Sequence, residues 1–351
     1  DESQSYSQAG PSSFNGKRSM NIQTPYLLFL GDAADPLAAK VAQGICDWRP
    51  DSAAGQFRMQ GCNADLGLQD MSIAQAVAAG AKTLVVGVAN RGGIISDGWI
   101  EILRDALAQG MDIAAGLHNK LADVPDLKAD ADRLGRRLFD VRHPNQTFDV
   151  ATGAKRRGKR LLPVGTDCSC GKMYTALAIE KELRSRGVNA DFRATGQTGM
   201  LVTGRGVCVD AVVADFISGA VEWLSPDNDD DHWDVVEGQG SLFHPSFAGV
   251  TTGLIHGAQP DALVLCHEPT RTHMRGLPHF PIPDLKECMD ANLGVAYLTN
   301  PNAQFIGVAV NTSKLGEQEA DAYLKQTEER LGLVTVDPLR DGVARIVDQM
   351  I

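Results

Sequence analysis

The sequence predicts an α/β protein of two parallel-sheet domains, and three observations carry that expectation. From Tyr26 onward, short apolar runs alternate with segments of helical periodicity, the pattern of repeated β-α units with helices packed on a parallel sheet. The alternation breaks at residues 142–160, RHPNQTFDVATGAKRRGKR, where Pro, Gly and a basic cluster mark a linker. It resumes at Leu161 and leads at once into a glycine-rich turn, GTDCSCGKM at 165–173.

The elements follow in order. YLLFLGD (26–32) reads as a strand and DPLAAKVAQGICDW (35–48) as a helix with apolar residues three and four apart. IAQAVAAG (73–80) is a second helix, and KTLVVGVAN (82–90) a buried, Val-rich strand. DGWIEILRDALAQG (97–110) has an Asp as its N-cap signal and a Gly stop. MDIAAGL (111–117) is another strand and DLKADADRLG (126–135) another helix. Together they predict an N-terminal Rossmann-like parallel-sheet domain over 21–145. A linker over 146–160 and a second α/β domain over 161–351 follow. In that second domain LLPVG, NADFRAT, WDVVEG, ALVLCHE, FIGVAVNT and VTVDP read as strands. Helices are expected after the glycine loop, across CVDAVVADFISGAVEWL (208–224) and across EQEADAYLKQTEERLG (317–332). SPDNDDDH (225–232) reads as a solvated acidic loop, because consecutive carboxylates lack a defined ligand cage.

Composition narrows the function. The chain has 351 residues, 43% of them hydrophobic and 22% charged, enough for two cores. A formal net charge of −11 argues against nucleic-acid or membrane-surface partners and leaves small molecules. The seven cysteines are odd in number and lack zinc-ribbon spacing, which suits reduced thiols in the cytoplasm. Residues 1–20 are polar and rich in Ser and Gly, and are expected to be an added tail or a disordered leader.

The glycine loop carries the chemistry. Strand, glycine loop, Lys and helix form the arrangement whose backbone N–H groups cradle phosphate at a helix N-terminus, so the second domain is expected to be P-loop NTPase-like. Gly165 and Gly171 allow the turn, and Thr166, Asp167, Cys168, Ser169 and Cys170 lie between them. Lys172 supplies compensating charge. The loop holds five residues between its glycines, and Met173 stands where Ser or Thr normally holds Mg²⁺. A phosphorylated ligand without a metal is the expectation. Cys168 and Cys170 are candidate nucleophiles or small side chains that let the amides close on phosphate.

Other candidates sit at strand ends, where ligands bind in parallel α/β sheets. Glu237, in VVEGQGS, reads as a general base, a metal ligand or a carboxylate capping the turn, and His244 follows seven residues later. His267 and Glu268 end another strand as a candidate acid/base pair, although neighbours on an extended segment face opposite sides. Arg193, Gln197 and Thr198 in RATGQTG, and Arg271 after Glu268, suit an anionic substrate. So do Arg91 in NRGG and Asn119 in HNK. Asn311 ends FIGVAV, from where an amide reads a base.

Two resemblances follow from these strings. GTDCSCGK, VVEGQGS and GVAVNTS resemble the dethiobiotin-synthetase branch of P-loop proteins, which has the same loop spacing but Thr after the Lys. GVANRGG, GLHNKL, GTDCSCGKMYTALAIEKEL, RATGQTG and EGQGSLFHPSF together, over nearly the whole chain from Tyr26, resemble the DgcN family. That resemblance implies acetyl-CoA as donor, D-glutamate as acceptor and N-acetyl-D-glutamate as product in D-amino-acid metabolism. It implies that residues 165–173 and Asn311 hold CoA, with Lys172 and the basic run Lys155 to Arg160 on its phosphates. Glu237, His267 or Glu268 is then the base, and the polar strand-end residues receive the acceptor's carboxylates. No metal and a cytoplasmic homo-oligomer are expected. The alternatives are an ATP-dependent ligase or kinase acting on a small carboxylate, and a nucleotide-sensing module without turnover.

Overall fold

The computed structural model describes residues 21–88, 95–144 and 146–351; the expected tail and Arg91 lie outside them. Among the described residues the N-terminal half builds a five-stranded parallel sheet in the order β2-β1-β3-β4-β5. Its elements are β1 (Tyr26–Gly31), α1 (Lys40–Trp48), β2 (Ala53–Arg58), α2 (Ile73–Ala78) and β3 (Thr83–Val86). α3 (Asp97–Ala108), β4 (Asp112–Ala115), α4 (Pro125–Leu134) and β5 (Leu138–Asp140) complete it. β1 is buried along its length, as its uninterrupted apolar sequence requires at the sheet interior. Strands β2 and β5 are the two edges. AAGQFR and LFD are too short or too weakly apolar to announce themselves, so neither is legible by periodicity.

The start of α3 differs from expectation by one residue. Ser96, not Asp97, is the cap, its hydroxyl accepting from the Trp99 N–H at 3.3 Å. Asp97 then adds a charge to the first turn.

The second half builds a six-stranded parallel sheet in the order β13-β12-β9-β6-β8-β7. In chain order its elements are β6 (Lys159–Gly165), α5 (Lys172–Ser185), β7 (Ala190–Arg193), α6 (Gln197–Thr203), α7 (Ile217–Leu224) and β8 (Trp233–Val236). Next come α8 (Ala248–Ala258), β9 (Ala262–His267), the antiparallel pair β10 (His273–Met274) and β11 (Leu277–Pro281), and α9 (Leu285–Ala296). β12 (Gln304–Val310), α10 (Glu317–Leu331), β13 (Thr335–Val336) and α11 (Ala344–Val347) close the chain. No helix among the described residues is long and apolar enough to cross a membrane.

Two expectations need correction here. The helix over 208–224 forms only from Ile217. Before it the chain makes two 3-10 turns, Val209–Ala211 and Ala214–Phe216, because the adjacent β-branched Val212 and Val213 take extended backbone between them. In the basic run that leads into β6, Arg156 and Arg160 are not solvated but buried, while Lys155, Arg157 and Lys159 stay exposed. Arg160 is 1% exposed; its guanidinium donates to Ser225 Oγ at 2.9 Å and to the carbonyls of Arg157 and Pro226 at 3.0 and 2.9 Å. Arg156 donates to the carbonyls of Glu222, Ser225 and Gly257, and burial pushes its guanidinium down to about 10. Both arginines tie the strand entrance to α7 and α8, so their charge is spent inside the fold.

The two halves meet closely. Tyr174 of α5 donates to Asp47 of α1 at 2.6 Å, and its ring meets Trp48 edge-on at 5.4 Å. Gly44 and Gly116 are approach points: a Cβ on Gly44 would lie 2.9 Å from Thr198 Cγ2, and one on Gly116 would lie 2.1 Å from Gln197 Oε1. α1 and the carboxyl end of β4 therefore abut α6.

Candidate active site

A cleft of ≈ 980 Å³ opens at this junction, lined by the glycine loop, by Glu237–Gly240, by Lys40, His118 and Arg142 of the first half, and by Asn311 and Asp337–Leu339. Its floor is the loop after β6. A Cβ on Gly165 would lie 2.6 Å from Cys170 Sγ and 3.0 Å from Lys172 Nζ, so the turn closes only over glycine. Ser169 (φ 52°) and Gly171 (φ 105°) take left-handed backbone, which points successive N–H groups to one side. α5 starts without a side-chain cap. Its first-turn N–H groups therefore remain for an anion.

The loop is braced from far away in sequence. Asp167 accepts from Cys168 N–H at 2.6 Å with one oxygen, and from Arg271 Nη1 and Arg275 N–H at 2.9 Å with the other. Arg271 also donates to the carbonyls of Cys168 (2.6 Å) and Ser169 (2.7 Å), and Arg275 to Ser169 Oγ (2.6 Å). Lys172 Nζ donates to the Asp167 carbonyl at 2.8 Å. Lys40 lies near enough to Arg275 that burial first, and that guanidinium second, hold its ammonium below the usual range. Lys172, Arg275 and Lys40 thus make the loop end of the cleft strongly positive.

Glu237 forms the opposite wall. It is 3% exposed, and its Oε2 accepts from the N–H groups of Thr195 (2.8 Å) and Gly196 (3.0 Å). A Cβ on Gly199 would lie 2.4 Å from that oxygen, so glycine there is what admits the carboxylate. Burial pushes the carboxyl up to about 7, with Asp210 adding to the rise, while the Thr195 and Gly196 N–H groups and Lys172 pull it back. A carboxyl in this range exchanges its proton near neutrality, the property a general base needs.

Gly238, next in the chain, shows how little room the wall has. A Cβ there would lie 1.8 Å from the Pro163 carbonyl oxygen. Gly238→Ala is expected to cost about 3 kcal/mol or more through overpacking, read as a fall in Tm; an unchanged Tm would show the wall to be loose.

The sequence model of the DUF1611 C-terminal P-loop domain, a domain of unknown function, matches residues 149–347, and that of its N-terminal Rossmann-like domain matches 57–144. The chain belongs to the DUF1611 family. A D-glutamate N-acetyltransferase of Tritonibacter scottomollicae is 61% identical over 329 residues, covering 94% of this chain and 99% of that protein. Another, from a Pseudoalteromonas species, is 49% identical over 328 residues, covering 93% and 99%. The crystal structure of a DUF1611 family protein from Anabaena variabilis ATCC 29413 matches with a TM-score of 0.82 at 33% identity, over 93% of this chain and 99% of that one.

Within this DUF1611 fold the expected site residues separate. Cys168, Ser169, Cys170, Gly171, Lys172, Met173, Thr198, Glu237 and Asn311 line the cleft together. Gly165, Thr166 and Asp167 lie behind them and shape the loop. His267 does not reach the cleft lining. Its Nδ1 meets Thr166 Oγ1 at 2.9 Å, its ring stacks on Tyr323, and burial pushes it down to about 4. Glu268 points elsewhere as well, accepting from Thr270, Arg271 (3.1 Å) and Lys314 (3.2 Å). Burial alone would raise its carboxyl, but the bonds from Thr270 and Lys314 outweigh it and hold the group below its ordinary value.

Arg193 and Arg271 are likewise committed. Arg193 is buried against Asp234 at 2.7 Å, and Arg271 is the strut of the loop. Gln197 packs its amide on Gly116, and Asn119 is exposed outside the cleft lining. Lys40 and Arg142 are cleft residues that sequence patterns did not mark. Arg142 follows a three-residue edge strand and Lys40 opens a helix, so neither carries a local signature.

Asp167, Cys168 and His244 bring ligand-type atoms within 4.8 Å of one another. Two of the three are otherwise engaged: Asp167 as above, and His244 by the Ser246 N–H on Nδ1 and the Arg275 carbonyl at Nε2, both 3.2 Å. The Cys168 thiol is pushed up by burial, so it is not a ready thiolate.

Proposed function

We propose that this chain is a D-glutamate N-acetyltransferase: it moves an acetyl group from acetyl-CoA to the amino group of D-glutamate, releasing N-acetyl-D-glutamate and CoA. The carrying observation is a buried carboxyl, Glu237, pushed up to about 7 across a cleft from a phosphate cradle. Two relatives matched over nearly their full length, each a D-glutamate N-acetyltransferase, support the same reading. CoA carries a diphosphate and a further phosphate, so the loop amides, Lys172, Arg275 and Lys40 suit it. Nothing in acetyl transfer requires cleavage of a phosphoanhydride, so Met173 in place of a Mg²⁺-holding hydroxyl is no obstacle.

In this reading Glu237 accepts a proton from the substrate ammonium. The free amine attacks the thioester carbonyl carbon, the C–S bond breaks, and the sulfur leaves as the CoA thiol with the second proton shed by the attacking nitrogen, while Glu237 passes the first to solvent. The Gln239 amide, next to Glu237 in the cleft wall, is placed to face the developing oxyanion. Direct attack needs no acetyl-cysteine, consistent with a half-buried Cys168 thiol pushed above its ordinary value and with Cys170 donating to the Asp167 and Cys266 carbonyls at 3.1 and 3.4 Å. Cys168→Ala is therefore expected to keep turnover; its complete loss would point to a thiol intermediate.

The proposal extends to a cytoplasmic homo-oligomer. All seven cysteines are free, and Tyr297 and Leu298 form an exposed apolar pair beyond α9. The activity itself is tested by adding D-glutamate to protein and acetyl-CoA and following free thiol. Stoichiometric thiol and N-acetyl-D-glutamate are expected; thiol that does not depend on D-glutamate, or none at all, overturns the reading.

A further inference from the structure

We propose that Arg142 receives a carboxylate of the amino-acid acceptor, and that Asp210 occupies that place until the acceptor binds. The inference rests on the acetyltransferase reading and names the residue that selects its acceptor.

Lys40, Arg142, Lys172 and Arg275 are the Lys and Arg side chains lining the cleft among the described residues. Three belong to the loop end: Lys172 and Arg275 bond the loop itself, and Lys40 feels the Arg275 charge. Arg142 stands apart. Its Nη2 meets Asp210 Oδ2 at 2.6 Å, and Asp210 is in turn the carboxylate whose charge acts on Glu237. Backbone fixes this neighbourhood. Val209 N–H donates to the Thr195 carbonyl at 3.0 Å, and the Thr195 N–H holds Glu237. Arg142 and the base therefore share one end of the cleft, while phosphate-binding groups hold the other.

An acidic amino acid whose amine lies at Glu237 must place two carboxylates nearby. The arginines expected to receive them, Arg193 and Arg271, are tied to other partners. Arg142 is not buried in such a network. Its side chain is 20% exposed and that of Asp210 38% exposed, so the pair is open to exchange. Among the described residues, its hydrogen bond across the two halves of the molecule runs from Nη2 to Asp210. A free carboxylate can take the guanidinium with two parallel bonds and so displace Asp210.

The test uses the full chain. Arg142→Ala is expected to raise the KM for D-glutamate about 10- to 100-fold, the span of a charge-assisted hydrogen bond converted to a ratio. The KM for acetyl-CoA should stay within about twofold, and Arg142→Lys should recover part of the loss. Asp210→Asn removes the competitor and is expected to lower the KM for D-glutamate. A latch between domains behaves oppositely: both KM values rise together, and Asp210→Asn is as harmful as Arg142→Ala. That outcome, or an unchanged KM for D-glutamate in Arg142→Ala, overturns the proposal. Calorimetric titration of D-glutamate into the same proteins reads Arg142 without turnover. Weakened binding in Arg142→Ala sustains the inference even if acetyl transfer were absent, and equal binding ends it while the wild type still turns over.

Discussion

Glu237→Gln is expected to lower kcat about 10²- to 10⁴-fold at pH 8, the loss that accompanies removal of a general base. The amide preserves shape, and its oxygen can still accept from the Thr195 and Gly196 N–H groups that hold the carboxylate. Only the ability to take a proton goes. In the wild type the base must be ionised, so kcat/KM should rise with pH and level off above the Glu237 value of about 7. In the variant that limb should vanish. The charged and titratable groups facing Glu237 are Asp210, Lys172 and Cys208, with Arg142 behind Asp210.

Stability should move the other way. The carboxyl is raised from 4.5 to about 7, so the folded state binds its proton more tightly than the unfolded chain. The resulting stabilisation is complete below pH 4.5 and is lost as pH rises through 7. At pH 8 the buried charge costs on the order of 3 kcal/mol, which the Gln variant does not incur. A variant that is slower, yet more stable at pH 8 and not at pH 4, separates a proton-transfer role from a structural one. Equal rates in variant and wild type would remove Glu237 from the mechanism.

Lys172→Ala carries the second large expectation. It deletes the charge at the loop's exit and the bond to the Asp167 carbonyl. The KM for acetyl-CoA should rise about 10- to 100-fold, from loss of a charge-assisted contact. The KM for D-glutamate should change little, since that end of the cleft is built by Glu237 and Arg142. Steady-state kinetics with each substrate varied decides it. A rise confined to D-glutamate would place the cradle's ligand wrongly.

Lys172 and Glu237 are legible in the sequence because each lies in a local pattern. Strand, glycine turn and helix follow one another within residues 161–185, and Glu237 directly ends a Val-rich strand. Local pattern is also why the alternation of elements predicts both parallel sheets. Arg271 and Arg275 show the limit of that reading. They brace a loop a hundred residues earlier, through a hairpin whose place no periodicity announces. Lys40 and Arg142 come from the other half of the molecule and enter the cleft only when the halves pack.

His267 shows a different failure. Its place at a strand end is legible in the sequence, but which way a side chain faces there depends on its partner strands and helices. Thr166 and Tyr323 take the imidazole into the fold. The run from Lys155 to Arg160 misleads for a third reason. Composition registers charge but not the carbonyls that Arg156 and Arg160 satisfy once α7 and α8 are in place.

Acetyl transfer straight to the amine can be followed in one turnover, using acetyl-CoA labelled in the acetyl group and mixed with protein and D-glutamate. The label should appear wholly in N-acetyl-D-glutamate, one for each thiol released, with the mass of the denatured protein unchanged. Label retained on the protein, or no label in the amino acid, would contradict direct transfer in this cleft.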